Sequence, residues 1–422
     1  MHRRTYLAAA ATLPLAGCAG SETSSPSSAA DPANDAGNGD GEPESATPSD
    51  RSTDDPELAG TVDDFEDLTT WDILGGALSP ASDRAVVGTQ SGRLEIPAAE
   101  PNGGLARRFS NPIDCSDVVP GVAVASDALV VPVVRLVDVD GNRVDYRRAI
   151  KADLPLARYN FGVKEIAGGF DPTAVEEVQL LVWTGEGASG SVWFDDLHFV
   201  PRPERGKVMF QFDDAHVTDY TEALPILEEY DYPAVSFVTT GYVDEGDVGG
   251  DTRLSTDQIH ELHDAGWCIA NHTVSHEDLP ELTPKAQAAE IRGGKEWLID
   301  RGLEAGADYF AYPFGAYDAS TLEIVANHHD IAFAGGMPAQ GYLSNTAQAS
   351  RFGEPSVERA RTAIERTASM RGITSLLFHR LEGERIADFE AIVETIREYE
   401  SAGAIDVILP ADLEREYRYQ GH

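Results

Sequence analysis

From Gly206 onward, short apolar runs alternate with amphipathic stretches, and the residues that can do chemistry stand where the apolar runs end. Strands are expected at 208–212, 234–239, 268–271, 309–311, 331–334, 374–378 and 405–409. Helices are expected at 220–230, 256–265, 284–301, 318–328, 357–369 and 387–401, with Ser255 as a cap and Thr283-Pro284 as a start signal. Parallel neighbours need long crossovers, usually helical, so repeated strand–helix units imply a parallel sheet or barrel with active residues at the strand C-terminal ends. Three such ends carry a constellation. Val208-Met-Phe-Gln-Phe212 runs into Asp213-Asp214, the strand ending at Asn271 runs into His272 and His276, and Leu376-Leu-Phe runs into His379. One Asp and two His can hold a divalent metal on one side and leave room for water and substrate. That arrangement suits metal-assisted hydrolysis.

The pieces differ in weight. Asp-Asp also occurs at Asp54-Asp55, Asp63-Asp64 and Asp195-Asp196, so the carboxylate pair alone is weak in a chain this acidic. Two imidazoles four positions apart after a strand are a stronger sign, since both can converge on one ion. His260 and His263 lie on an acid-rich amphipathic helix and read as surface residues. His328 and His329 are adjacent and diverge. His216 is close enough to the constellation to contact substrate.

Acidic residues number 72 against 32 basic ones, a net charge of −40, and they are spread over the whole length. The pattern reads as a protein soluble in very high salt, where a short Debye length screens self-repulsion. It excludes nucleic acid as a partner and leaves an anionic membrane surface unattractive. Upstream, His2-Arg3-Arg4-Thr5-Tyr6-Leu7, a short apolar run and Leu15-Ala16-Gly17-Cys18 read as a twin-arginine lipoprotein signal over residues 1–18, with lipidation of Cys18. The apolar run is too short to span a bilayer. The expected location is therefore outside the cell, with membrane contact by lipid anchor only. Residues 19–60 carry ten acidic residues and one basic residue and are expected to be a disordered linker.

Residues 61–203 show a different pattern, with strand-like runs at 93–96, 130–137, 178–183 and 191–194 separated by turn signals such as Asp140-Gly-Asn142. Long helical periodicity is missing, so an all-β sandwich, a jelly roll, is expected before the barrel of residues 204–422. Cys115 and Cys268 fall in different halves and are not expected to form a disulfide.

The ordered set Phe-Asp-Asp, His-x-x-x-His, Tyr312-Pro313-Phe314-Gly315 and Leu-x-Phe-His379 resembles the polysaccharide deacetylase family, carbohydrate esterase family four. The resemblance covers roughly residues 207–409. It implies a distorted (β/α) barrel that hydrolyses N-acetyl groups of an N-acetylated polysaccharide or oligosaccharide. Position by position it implies Asp213 as general base, and Asp214, His272 and His276 as ligands of a divalent ion. Zinc suits that donor set, as do cobalt, nickel or manganese. It further implies Tyr312, Pro313, Phe314 and Gly315 as the groove wall with an oxyanion-binding N–H, and His379 as general acid. Two positions depart from the pattern: Ala215 replaces a usual Gly, and Ala311 replaces an Arg that contacts the base. Arg351, expected in a loop before the 357–369 helix, is the candidate replacement. No carboxylate partner for His379 is legible. Residues 61–203 resemble the jelly-roll accessory modules of carbohydrate-active enzymes, in which first- and last-strand acids share a structural calcium; Asp63-Asp64 and Asp195-Asp196 are the corresponding pairs. An O-acetyl esterase using the same site, or a non-catalytic glycan-binding surface protein, are the competing readings.

Overall fold

A computed structural model describes residues 58–419. The signal sequence, Cys18 and nearly all of the acidic linker lie outside the described residues.

Two antiparallel sheets share one core in the N-terminal part. One runs in the order Ala77–Ala81, Ser91–Ile96, Gly190–Pro201, Val118–Ser126, Ala157–Tyr159, with Gly60–Asp63 also pairing to Gly190–Pro201. The other runs Gly162–Ala167, Arg143–Arg147, Val133–Asp138, Val175–Trp183, Asn102–Ile113, Asp72–Gly75. Period-two side-chain alternation makes each strand one-sided. In Val133–Asp138, Val134 and Leu136 enter the core while Val133 and Arg135 stay half-exposed. Phe194 and Phe199 from the first sheet meet Leu136, Val178 and Leu180 of the second in a single cluster. Cys115 and Cys268 are free thiols, and burial pushes both up to about 12.

The acids expected to share a calcium are taken by protein donors instead. Asp63 is ion-paired with Arg107 and accepts from the Trp71 indole at 3.2 Å and the Phe65 N–H at 2.9 Å. Asp196 is ion-paired with Arg158 and accepts from Thr61 Oγ1 at 2.7 Å. Asp195 accepts from the N–H groups of Val86 and Val87. Asp63 and Asp196, one acid of each pair, are thus already neutralised by a guanidinium and gain little from a cation, which leaves a shared calcium without one strong ligand from either pair.

The second half is a barrel. Its strands are β1 (Gly206–Asp213), β2 (Val235–Val238), β3 (Cys268–Asn271), β4 (Tyr309–Ala311), β5 (Ile331–Gly335), β6 (Ala349–Gly353), β7 (Ile373–Phe378) and β8 (Ile405–Val407). All pair in parallel. β1 to β7 close into a ring through the β1–β2 and β1–β7 pairings, and β8 adds to β1. Strand parity decides which side chains reach the interior. Val208, Phe210 and Phe212 point outward into the core shared with helices Val357–Met370 and Glu384–Ser401, whereas Met209 joins the interior cluster with Val235, Phe237, Ala311 and Phe333. The same parity carries Asp213 into the barrel mouth.

Two segments depart from the sequence expectation. Residues 349–353 are strand β6, not a loop, so Arg351 lies on a rigid element. There Ala349 packs in the interior cluster and Phe352 packs outside, and Arg351 shares the inward parity of Ala349. The last expected strand stops at Val407, and Pro410–Glu416 forms a helix.

Sandwich and barrel meet over a continuous seam. Tyr342, Met370 and Tyr419 of the barrel half pack against the sandwich core. The buried Asn160 amide donates to the carbonyls of Gln340 and Tyr342 at 3.1 and 2.7 Å, and its oxygen accepts from the Ser344 N–H at 2.8 Å.

Candidate active site

Asp214, His272 and His276 converge at the barrel mouth, with one potential ligand atom from each lying within 4.8 Å of the others. His272 Nε2 lies 3.5 Å and His276 Nε2 3.1 Å from Asp214 Oδ1. His272 Nδ1 is 2.7 Å from the Ala311 carbonyl. A carbonyl only accepts, so Nδ1 carries the proton and Nε2 turns its lone pair toward Asp214. Both Asp214 Oδ1 and His272 Nε2 are buried without a hydrogen-bond partner. Orphaned buried acceptors are costly, and two aimed at one point alongside a third donor fit a divalent cation. Among the described residues this is the one three-ligand cluster.

The loop between the imidazoles is held by groups that the sequence did not single out. Glu290 accepts the Val274 and Ser275 N–H groups at 3.1 and 2.8 Å and the Ser275 hydroxyl at 2.8 Å. Asn271 Oδ1 accepts from the Thr273 N–H at 2.9 Å, and Thr273 Oγ1 from the His276 N–H at 3.1 Å. Among the described residues twelve non-glycine residues adopt positive φ, and six of them are Asp214, Ala215, Thr273, His276, Phe314 and Glu354. Such strain, of order 1–3 kcal/mol each, persists only where the surroundings over-determine it. Ala215 (φ 54°) explains why Gly suits this position: the left-handed region is the one that glycine enters freely.

Asp213 stands beside the cluster. Arg351 Nη1 donates to Asp213 Oδ1 at 2.8 Å, and Asp213 Oδ2 faces His272 Nε2 at 3.5 Å and His379 Nε2 at 4.0 Å. Burial would raise the Asp213 carboxyl, but Arg351, His272 and His379 hold it below its ordinary value. Burial likewise opposes Asp214, and contacts with His216, His272 and His276 outweigh it and hold that carboxyl far below its ordinary range. Arg351 thus takes the place beside the carboxylate that Ala311 leaves open.

His379 gains a partner as well. Glu354 Oε1 accepts from its ring Nδ1 at 2.8 Å and from its backbone N–H at 2.9 Å, while Glu354 Oε2 is ion-paired with Arg385. Burial pushes the imidazole down, but Glu354, Asp213 and Asp214 outweigh it and hold the group above its ordinary value. In sequence only the Arg351-Phe-Gly-Glu354 spacing could have suggested this carboxylate.

Within the wall segment, Tyr312 and Pro313 are buried, and the Tyr312 hydroxyl donates to the Ala347 carbonyl at 2.9 Å. Phe314 is 71% exposed with its ring 4.5 Å from His276. Tyr312 N–H donates to Phe333 and Gly315 N–H to Tyr312, and Pro313 has no N–H, so Phe314 supplies the segment's remaining N–H donor. Gly315 offers its carbonyl to Lys151 of the sandwich at 3.1 Å. His216 is placed behind Asp214 instead of in the groove. It is buried, 3.7 Å from Asp214 Oδ2, with Arg253 Nη1 3.2 Å from its Nε2.

Residues 201–330 match the family model described as polysaccharide deacetylase. This part of the chain is similar to polysaccharide deacetylase domains. The chain is 30% identical over 122 residues to Bacillus subtilis (strain 168) YxkH, a chain named for the same family, covering 29% of this chain and 42% of that one. It is 28% identical over 131 residues to the Staphylococcus aureus (strain MSSA476) poly-beta-1,6-N-acetyl-D-glucosamine N-deacetylase, covering 29% and 45%. The chain therefore spans less than half the length of these curated relatives. A solved structure of the Streptococcus pyogenes deacetylase PplD in complex with acetate is 28% identical, with 34% of this chain and 62% of that chain covered and a TM-score of 0.31. The Asp214, His272 and His276 cluster lies within the matched residues 201–330, whereas the ring strands Ala349–Gly353 and Ile373–Phe378 lie beyond them.

Proposed function

We propose that the chain is a metal-dependent hydrolase that removes N-acetyl groups from an amino-sugar polysaccharide. The observation that carries the reading is one cluster, Asp214, His272 and His276, with Asp213 and His379 on its flank. Asp214, His272 and His276 would hold a divalent ion, zinc being the best match to two imidazoles and a carboxylate. When bound, such an ion supplies Lewis-acid polarisation of an amide carbonyl and acidifies water.

The rest follows from the chain's own groups. Asp213, ionised and oriented by Arg351, accepts the proton of the attacking water as its oxygen bonds to the amide carbon. The Phe314 N–H donates to the oxygen on which negative charge develops. His379, kept protonated by Glu354, gives its proton to the nitrogen as the carbon–nitrogen bond breaks. Acetate and a free amine leave. Acid and base steps of this kind contribute roughly 10²–10⁴-fold each.

The N-terminal sandwich is read as a jelly-roll, carbohydrate-binding-like module. The N-terminal signal motif supports a protein exported and lipid-anchored at the cell surface, and its acidity supports function in high salt. The test is acetate release from a panel of N- and O-acetylated glycans at high salt with metal added back. Release from N-acetylglucosamine oligomers is expected. Release from acetylated xylan alone would replace the reading with an O-acetyl esterase, and release from neither with a binding protein.

A further inference from the structure

At the seam beside the barrel mouth the charge balance of the molecule reverses. Acids outnumber bases 72 to 32 in the chain. Yet two adjoining cavities there, of about 330 and 410 Å³, share Arg147, Gly336 and Met337 and are lined by Arg147, Arg148, Arg359 and Arg366, with Glu358 as the one carboxylate between them. Each lies in the size range of small-ligand sites, roughly 300–1,000 Å³.

These cations are held by neutral groups. Arg148 donates to the carbonyls of Asn160 and Gln348 at 3.2 and 2.8 Å and to Ser350 Oγ at 2.9 Å. Arg147 Nε contacts Met337 Sδ at 3.1 Å, Arg366 donates to the Val163 carbonyl at 3.3 Å, and Arg359 lies 4.7 Å over the Phe352 ring. Lys151 joins them, its Nζ on the Gly315 carbonyl and 3.8 Å over the Tyr317 ring. A guanidinium fixed by carbonyls keeps its whole charge uncompensated, and several around one cleft focus a positive potential into it. Elsewhere in the same chain the buried arginines Arg253 and Arg351 each face an aspartate.

The first cavity adjoins the catalytic wall segment, since Tyr317, two residues past Gly315, and Gly335, packed beside Gly315, both line it. Lys151 grips the residue after Phe314, whose ring touches His276. We propose that this seam groove binds an anionic stretch of the glycan, sugars bearing a carboxylate or a sulfate ester, while a neighbouring N-acetyl group lies at Asp213 and His379. The inference rests on the deacetylase reading for the role of the neighbouring site, and its test reads binding separately from turnover.

The experiment is calorimetric titration of the metal-loaded full chain with three hexasaccharides across a salt series. They are an alternating glucuronate and N-acetylglucosamine chain, a sulfated galactose and N-acetylglucosamine chain, and the neutral N-acetylglucosamine hexamer. At least one anionic hexamer is expected to bind tenfold or more tighter than the neutral one, with affinity falling as salt rises, and the preferred one identifies the anion. The Arg147→Gln/Arg366→Gln double variant should reduce the anionic-to-neutral affinity ratio to near one, with Arg359→Gln as an independent second variant. Equal binding of all three, or an unchanged ratio in both variants, overturns the proposal. Acetate release measured on the same samples separates the two readings. Its absence with the anionic preference intact overturns the deacetylase function and leaves the groove standing.

Discussion

Arg351 and Asp213 are both buried and meet at 2.8 Å, although their strands, β6 and β1, are separated in the ring by β7. The pair reaches across a strand because both residues share inward parity at the mouth. It fixes the carboxylate on one oxygen and leaves the other facing His272 and His379.

Replacing Arg351 by Gln removes the cation that lowers the Asp213 pKa. The group must be ionised to accept a proton, so its raised pKa moves the acid limb of the kcat/KM profile to higher pH. Activity at neutral pH is expected to fall by about 10²-fold, with metal stoichiometry unchanged. Breaking a buried pair also costs roughly 3–5 kcal/mol of stability, read as a lower urea midpoint.

Glu354→Gln acts on the other limb. His379 must be protonated to donate, and its raised pKa extends the active range upward. Loss of the Glu354 charge lowers that pKa, so the alkaline limb of kcat/KM moves to lower pH. An alkaline limb that does not move would show that Glu354 does not tune His379.

His272→Ala should abolish metal binding, measured by elemental analysis after dialysis. Asp213→Asn should keep the metal and lose turnover by about 10²–10⁴-fold. Chelation of the wild type should lower both activity and melting temperature, since an ion bound only by the folded state stabilises it. Both should return on adding zinc.

Ala215→Gly relieves a left-handed alanine at φ 54°. The relief of about 1–2 kcal/mol exceeds the extra unfolded-chain entropy of glycine, so a net gain of about 0.5–1 kcal/mol is expected in chemical denaturation.

Legibility in the sequence followed the strength of local pattern. β1, β3 and β7 were readable because an apolar run ends in a chemically marked residue, and that end is where parallel strands present side chains. β6, Ala-Ser-Arg-Phe-Gly, offers no such run. Its inward arginine is stabilised by a carboxylate 138 positions away, a contact that no local window contains. Glu354 was hidden for the same reason, since its partner His379 is brought near only by the pairing of β6 with β7. In the sandwich, one acid of each pair, Asp63 and Asp196, is satisfied by an arginine from another strand, Arg107 and Arg158. His216 looked close in sequence to the mouth, but the turn after Asp214 folds it behind that carboxylate.

The seam has a consequence for ancestry. Tyr342, Met370 and Tyr419 complete a hydrophobic core that belongs to the sandwich, and Asn160 caps backbone that belongs to the barrel. A gene cut between the two halves would give each product an unfinished surface. The two are therefore expected to be inherited and to drift together, so that substitutions at Asn160 track those at 340–344, and grafting this sandwich onto an unrelated barrel would yield an insoluble chimera.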